Sequence, residues 1–121
     1  MDWQTDKIIG GRFMTNFLDY HDRVGSNPDK VFKSTLFQSS RLLIGLNCLE
    51  PGQTQRTHTH TDQDKFYFVV EGKGEFIVGE ETREAGVGCI VWASAGVHHG
   101  VTNAGEQRLV LLVGFAPAPR S

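Results

Sequence analysis

Short apolar runs recur along the chain between turn-forming residues, a pattern typical of an all-β sandwich or barrel. The strongest strand candidates are residues 31–37, 41–49, 66–70, 75–78, 89–92 and 109–115. Glycine-containing turns separate these runs, as at 50–52 and 103–105, because glycine adopts the backbone angles that tight turns require. A short helix over residues 16–23 is the one helical candidate. The pattern therefore predicts an antiparallel β fold with little helix.

Two of the predicted strands are apolar on both faces. Residues 66–70 and 109–113 do not alternate with polar residues, so both faces of each strand must be covered. One face can fill a barrel while the other meets a partner, and we therefore expect a homodimer. The alternative is a thicker two-sheet sandwich that hides both faces within one chain.

The length of 121 residues suits one domain. We expect residues 1–30 to form an N-terminal extension that packs on a barrel built by residues 31–121. Twelve basic and fourteen acidic residues leave a formal charge of -2, without blocks of one sign. This balance predicts neither a nucleic-acid partner nor an anionic-membrane partner, and it favours a small-molecule ligand.

The cysteines and the apolar runs bear on the compartment. Cys48 and Cys89 lie far apart in the sequence and are too few for a disulfide framework, so we expect two reduced thiols. Residues 1–23 lack a signal-peptide core, and no stretch approaches the ~20 apolar residues of a membrane span. The sequence therefore predicts a cytoplasmic protein.

His58 and His60 are separated by one residue. In an extended segment such residues face the same side, roughly 6.6 Å apart, so both rings can lean onto one ion at about 2.0–2.1 Å. The pair alone is weak support for a metal site, because exposed strands place polar residues at alternate positions for solvation alone.

The spacing of glycines around these histidines resembles a known family. Gly52, five residues, His58-Thr59-His60 and then Gly72 resemble the first signature motif of the cupin superfamily, and Gly88, seven residues, Gly96, two residues, His99, three residues and Asn103 resemble the second. Ser94 replaces the proline that the family usually has two positions before the second glycine of that motif. The resemblance implies a single-domain antiparallel β-barrel, or jelly roll, with His58, His60 and His99 as interior metal ligands.

Neighbouring residues are assigned by their side of the strand. Adjacent residues point to opposite faces, so only one of His98 and His99 can reach the interior, and the motif spacing selects His99. We expect His98 either at the rim or directly behind the metal ligands, and His21 in a structural or solvent-exposed position. Arg56 shares the side of the histidine pair in a regular strand, where it would meet a substrate carboxylate or lie in solvent at the barrel mouth.

The resemblance breaks at the expected fourth ligand. The family pattern has glutamate seven residues before Gly72, where this chain has Lys65. An ammonium is repelled by a divalent cation, so Lys65 must turn away, lose its proton, or hold an anion bound to the metal. We expect the first of these. Gln63 and Asp64 are the candidates to replace the missing carboxylate.

The resemblance implies one divalent transition metal ion, with zinc, iron, manganese, nickel and copper all open. Three neutral histidines leave the ion its full charge and open positions, which favours anionic or chelating ligands. The expected function is metal binding, with an oxygenase, isomerase or lyase reaction on a small molecule inside the barrel as the candidate activity. The alternative is a non-catalytic sensor or storage protein. Four aromatic residues are candidates either to line an apolar pocket around the site or simply to fill the barrel: Tyr67, Phe76, Trp92 and Phe115.

Overall fold

The structure, a computed structural model, describes residues 8–9, 12–13 and 15–119, and these form eleven strands and one 3-10 turn. The strands are β1 (Ile8–Ile9), β2 (Arg12–Phe13), β3 (Phe32–Gln38), β4 (Leu43–Leu49), β5 (Thr54–His58), β6 (Asp64–Glu71), β7 (Lys73–Val78), β8 (Glu81–Gly86), β9 (Ile90–Ala93), β10 (His99–Thr102) and β11 (Leu109–Ala116).

Two antiparallel sheets form the body of the molecule. One has the strand order β5-β10-β7-β8 and the other has the order β3-β4-β11-β6-β9, while β1 and β2 pair only with each other. Strands distant in sequence lie side by side, so the order is that of a jelly roll and not of a simple meander. The predicted all-β, antiparallel fold is confirmed.

The six predicted strands correspond to β3, β4, β6, β7, β9 and β11, with boundaries that differ by one or two residues. The predicted helix over residues 16–23 is wrong, because only a 3-10 turn at Tyr20–Asp22 forms there. Phe17 is 78% exposed and adds no packing to this segment. A segment this short needs a packed apolar face to remain helical.

The barrel core lies between the two sheets. Residues of the larger sheet, including Tyr67, Val69 and Leu111, pack there against Phe76 and Val101 of the smaller sheet. Burial alternates along β6, whose odd-numbered residues from 65 to 69 are buried while the even-numbered ones are half-buried. The apolar run in β6 therefore presents two faces, as the lack of alternation predicted.

The outer face of the larger sheet carries a second apolar cluster. Leu18, Tyr20 and Val24 pack there beside buried Leu46 and Val110. The described part of the predicted N-terminal extension thus covers some of this face. The rest of residues 1–14 lies outside what the structure describes, and the boundary at residue 30 stays a prediction.

Polar contacts, including one at Tyr20, anchor this extension. The hydroxyl of Tyr20 donates to Glu71 at 3.1 Å, and Arg108 forms a 3.0 Å salt bridge with the other oxygen of that carboxylate. Cys48 and Cys89 are free thiols, as predicted. Among the described residues, no helix has the length and apolar content needed to cross a membrane.

Candidate metal centre

Strand pairing brings two of the histidines together. His58 ends β5 and His99 begins β10, and the two are direct partners in the antiparallel ladder. His60 follows in the loop after β5, where its carbonyl accepts a 2.7 Å hydrogen bond from the backbone N–H of Gly96. The turn before β10 therefore holds the loop of His60 close to His99.

The three imidazole rings converge. Ring centroids are 4.7 Å apart for His58 and His60, 4.4 Å for His58 and His99, and 5.7 Å for His60 and His99. One ring nitrogen from each lies within 4.8 Å of the others. Nitrogens bound to one ion at about 2.1 Å lie roughly 3.0–3.4 Å apart at octahedral or tetrahedral angles, so binding requires the rings to move together by up to roughly 1.5 Å.

Backbone carbonyls fix the tautomers of two of these rings. Nδ1 of His58 lies 2.8 Å from the carbonyl of Arg56, and Nδ1 of His99 lies 3.0 Å from the carbonyl of Val97. A carbonyl only accepts, so each Nδ1 carries the proton and each Nε2 keeps its lone pair. Nε2 of His99 is buried and has no hydrogen-bond partner within the described chain. A buried, unpartnered lone pair facing two other imidazoles fits a metal ligand.

Burial also favours the neutral form of two of the histidines. It lowers the pKa of His99 to about 4, with smaller contributions from the neighbouring histidines and Lys65. Burial, followed by the charge of His58, lowers the pKa of His60. Because only neutral imidazole binds a metal, these two shifts favour metal binding at neutral pH.

An irregularity in β5 sets which side chains face the site. Gln55 pairs with Val101 and His58 pairs with His99, so β5 has one residue more than β10 across this stretch, which is a β-bulge. The bulge turns both Gln55 and His58 inward. Arg56 is exposed as a result. Of the two positions predicted for it, the structure shows the one at the barrel mouth in solvent.

Lys65 does not turn away from the barrel interior, so that expectation is wrong. Its side chain is 1% exposed. Its Nζ lies 4.4 Å from the ring centre of Tyr67 and 4.7 Å from that of Phe115. Burial, and then the charge of Lys33, lower the pKa of Lys65 to about 7. Position 65 is an inward position of β6, which shares its side with Tyr67.

Neither candidate replacement for the missing glutamate joins the histidines. Asp64 accepts a 2.9 Å hydrogen bond from the backbone N–H of Ala95, on the turn before β10. Gln63 is buried, and its amide donates to the carbonyl of Pro117 at 3.1 Å. Within the described residues, the cluster therefore consists of three histidines without a carboxylate.

A cavity of about 1180 Å³ opens beside this centre. Most of its lining residues are polar, and they include His58, His60, Lys65, Gln55 and Gln63. Residues 117–119 line part of its wall. Gln55 was not predicted from the sequence, because no hydrophobic pattern marks the β-bulge that turns it inward.

The aromatic candidates divide between the site and the rest of the barrel. The rings of Tyr67 and Phe115 lie 6.2 Å from His99 and 5.8 Å from His60. Phe76 belongs to the core, and Trp92 is 58% exposed, so its assignment to the pocket was wrong. Trp92 is on an even-numbered position of β9 opposite Phe66, which faces outward.

The two remaining histidines lie away from the cluster. His98 is exposed, as expected for a rim residue, and its Nδ1 is 2.8 Å from the hydroxyl of Thr59. His21 is also exposed and pairs with Asp19. His21 therefore offers a matched control for substitutions of the clustered histidines, whereas His98 contacts the residue between two of them.

Comparison with known proteins agrees with this architecture. The family model for the cupin domain matches residues 45–115, which is more than half of the chain. The chain belongs to the cupin family. The matched region contains the histidines of both motifs and also Lys65. This cupin therefore has a lysine in place of the usual glutamate within the region that matches the family.

Similar proteins extend this result. This cupin is 39% identical over 74 residues to the uncharacterized protein SCO3923 of Streptomyces coelicolor, covering 61% of this chain and 69% of that protein. The crystal structure of TT1209 from Thermus thermophilus superimposes with a TM-score of 0.84 at 39% identity, covering 87% of this chain and all of that one.

A more distant structure shows the same fold. It is a conserved protein with a double-stranded β-helix domain from Klebsiella pneumoniae, with a TM-score of 0.82 at 19% identity over 88% of this chain and 94% of that chain. The architecture is thus retained where most of the sequence has changed.

Proposed function

We propose that this cupin binds one divalent transition metal ion through His58, His60 and His99 and acts as a metal-dependent enzyme on a small molecule. The buried, unpartnered Nε2 of His99, facing the other two rings, is the observation that carries the proposal. Zinc, iron, manganese, nickel and copper all accept imidazole ligands. When bound, such an ion supplies Lewis-acid or redox chemistry.

The surroundings of the centre support an enzyme. Catalytic metal sites keep open positions, whereas structural sites are closed by four protein ligands. Three histidines beside a cavity of about 1180 Å³ fit the first class. The hydroxyl of Tyr67 and the amide of Gln55, 3.4 Å apart, add polar groups that can orient a substrate. Oxygenase, isomerase and lyase reactions are the proposed classes.

A second candidate function is a non-catalytic sensor or storage protein for a metal or small molecule. The lack of a carboxylate in the histidine cluster of the described chain favours it, since such a group often serves as general acid or base. This candidate requires tight ligand binding without turnover.

Metal content tests the ligand assignment. Elemental analysis of untagged protein, purified without added metal, should give about one ion per chain for the native protein and for His21→Ala, but far less for His58→Ala. The His21 variant is the matched control because His21 is exposed and outside the cluster. Full metal retention by the His58 variant would refute the assignment of His58 as a metal ligand.

Turnover separates the two candidate functions. Oxygen consumption by the iron-loaded protein is measured with a panel of thiols, diketones and phenols, and non-oxidative conversion is followed by mass spectrometry. The enzyme proposal expects turnover that His99→Ala abolishes. Tight ligand binding with no turnover favours the sensor or storage protein.

A homodimer and a cytoplasmic location complete the proposal. Exposed Ile90 and Trp92 lie opposite Phe68 and Phe66 on the outer face of the larger sheet, which supports burial of this face against a second copy. The free thiols of the two cysteines support a reducing compartment.

A further inference from the structure

We infer that Lys65 binds a carboxylate group of a small anionic substrate, which it holds in the cavity beside the three histidines. The inference rests on the proposed function and names the substrate class of the same site. In the usual cupin pattern this position holds a glutamate that serves as a metal ligand. Here it holds a lysine, whose charge attracts an anionic ligand instead.

Lys65 has no counter-ion in the described chain. Its side chain is 1% exposed, and within residues 15–119 its Nζ makes neither a hydrogen bond nor a salt bridge. The rings of Tyr67 and Phe115 contact its Nζ but neutralise no charge. Lysine is rarely buried without a partner, since its ammonium is strongly hydrated. A ligand that brings its own negative charge would supply the missing partner.

The charges around the cavity favour an anion. Lys33, on β3, lines the same cavity, and within the described chain its charge acts on the pKa of Lys65. Asp62 also lines the cavity and is exposed, as Lys33 is, but it does not contribute to the pKa of Lys65. The three histidines add no negative charge, with or without a bound ion. The interior end of the cavity therefore has a positive balance.

Geometry links Lys65 to the histidines. The ring of Tyr67 contacts Nζ on one side and lies beside His99, while the ring of Phe115 contacts Nζ and lies beside His60. The amine therefore lies no more than about 11 Å from the ring centres of His99 and His60. One small molecule with a carboxylate and a second oxygen donor, such as a dicarboxylate or a 2-oxo acid, can reach both.

Oxalate is the probe, since it is the smallest dicarboxylate. Calorimetric titration is carried out on the zinc-loaded and the metal-free protein, for the native chain, Lys65→Met and Lys73→Met. Lys73 is the matched control because it is exposed and pairs with Glu84 on β8. Charge-assisted hydrogen bonds contribute about 1.5–3 kcal/mol, so Lys65→Met should weaken oxalate binding roughly 10- to 150-fold in both forms. Lys73→Met should change it less than about threefold.

Imidazole serves as the neutral ligand in the same titrations. Its affinity for the zinc-loaded protein should be unchanged or slightly higher in Lys65→Met, because it carries no charge for the ammonium to attract. Circular dichroism checks that the variant is folded, and Lys65→Gln replaces it if Lys65→Met fails to fold. Equal oxalate affinity in the native and Lys65-substituted proteins overturns the inference, and so does a native protein that binds no oxalate.

Failure of the metal proposal gives a different result. If the native chain takes up no zinc, the proposed function fails, and the metal-free titration alone decides the role of Lys65. Weaker oxalate binding by the Lys65 variant in that form supports the anion site without the metal. Zinc uptake with no effect of Lys65 retains the metal centre and rejects the anion site.

Discussion

Substituting Lys65 with methionine should stabilise the metal-free protein at neutral pH. Methionine fills a similar volume without charge, so the variant keeps the contacts of the buried stem and removes a buried ammonium that has no acidic partner in the described chain. The native protein must either keep that ammonium buried or release its proton on folding. Both lower the free energy of unfolding.

The magnitude follows from the pKa of Lys65, which falls from 10.5 to about 7 on folding. The folded state binds fewer protons than the unfolded state between these values, so native stability rises with pH in that window and is lost as pH falls towards 7. At about 1.4 kcal/mol per pH unit, the cost at pH 7 is about 4 kcal/mol. Water entry and local relaxation reduce it, so we expect Lys65→Met to gain about 2–4 kcal/mol.

Urea unfolding measures this difference. Native protein and Lys65→Met are unfolded in the presence of a chelator at pH 7 and near pH 10.5, and the two free energies of unfolding are subtracted at each pH. The subtraction cancels the titration of groups that both proteins share. The advantage of the variant should be large at pH 7 and should almost vanish near pH 10.5.

A constant difference between the two pH values would refute the reasoning. A destabilised variant at pH 7 would refute it as well, since it would mean that the ammonium is satisfied in the folded chain. Lys73→Met, which removes an exposed lysine, should show no comparable dependence on pH.

Three further predictions concern other parts of the fold. Because burial lowers the pKa of His99 to about 4, the free energy of unfolding of the metal-free protein should fall by about 3 kcal/mol as pH falls from 6.5 to 4. Urea titrations should show a smaller fall for His99→Gln. An equal fall in both proteins would contradict this. Gly100→Ala should lower the free energy of unfolding by about 1–3 kcal/mol, because its Cβ would lie 2.9 Å from the backbone of Gln55 and Thr57 in the bulged strand; a thermal midpoint equal to that of the native protein would disprove this. If the outer face is a dimer interface, Trp92→Lys should yield monomers in analytical ultracentrifugation, and an unchanged sedimentation coefficient would reject that interface.

The apolar strands of the barrel could be predicted from the sequence because their hydrophobic runs exceed what an exposed segment would carry. β8 could not, since its first four residues are exposed and charged or hydroxylated. β5 is similarly polar, and its bulge depends on Gly100 in the neighbouring strand, where the backbone of β5 approaches too closely for a side chain. Such a contact is not visible within either segment alone.

The candidate site shows the same division. The glycine and histidine spacing selected three residues that the structure brings together. The position of Lys65 was predicted wrongly, because its ammonium was expected to turn away from a divalent cation. Its backbone position in β6 directs it inward instead, on the same side as Tyr67. The order of charges along the chain does not reveal this, since the cavity is formed by strands distant in sequence.

Anomalous diffraction from crystals of the metal-loaded protein tests the central claim most directly. Data collected at the absorption edge of the bound metal should give one strong peak about 2.1 Å from a nitrogen of each of His58, His60 and His99. The peak should be absent from crystals of His58→Ala. A peak elsewhere on the chain, or none at the three histidines in fully loaded protein, would contradict the account.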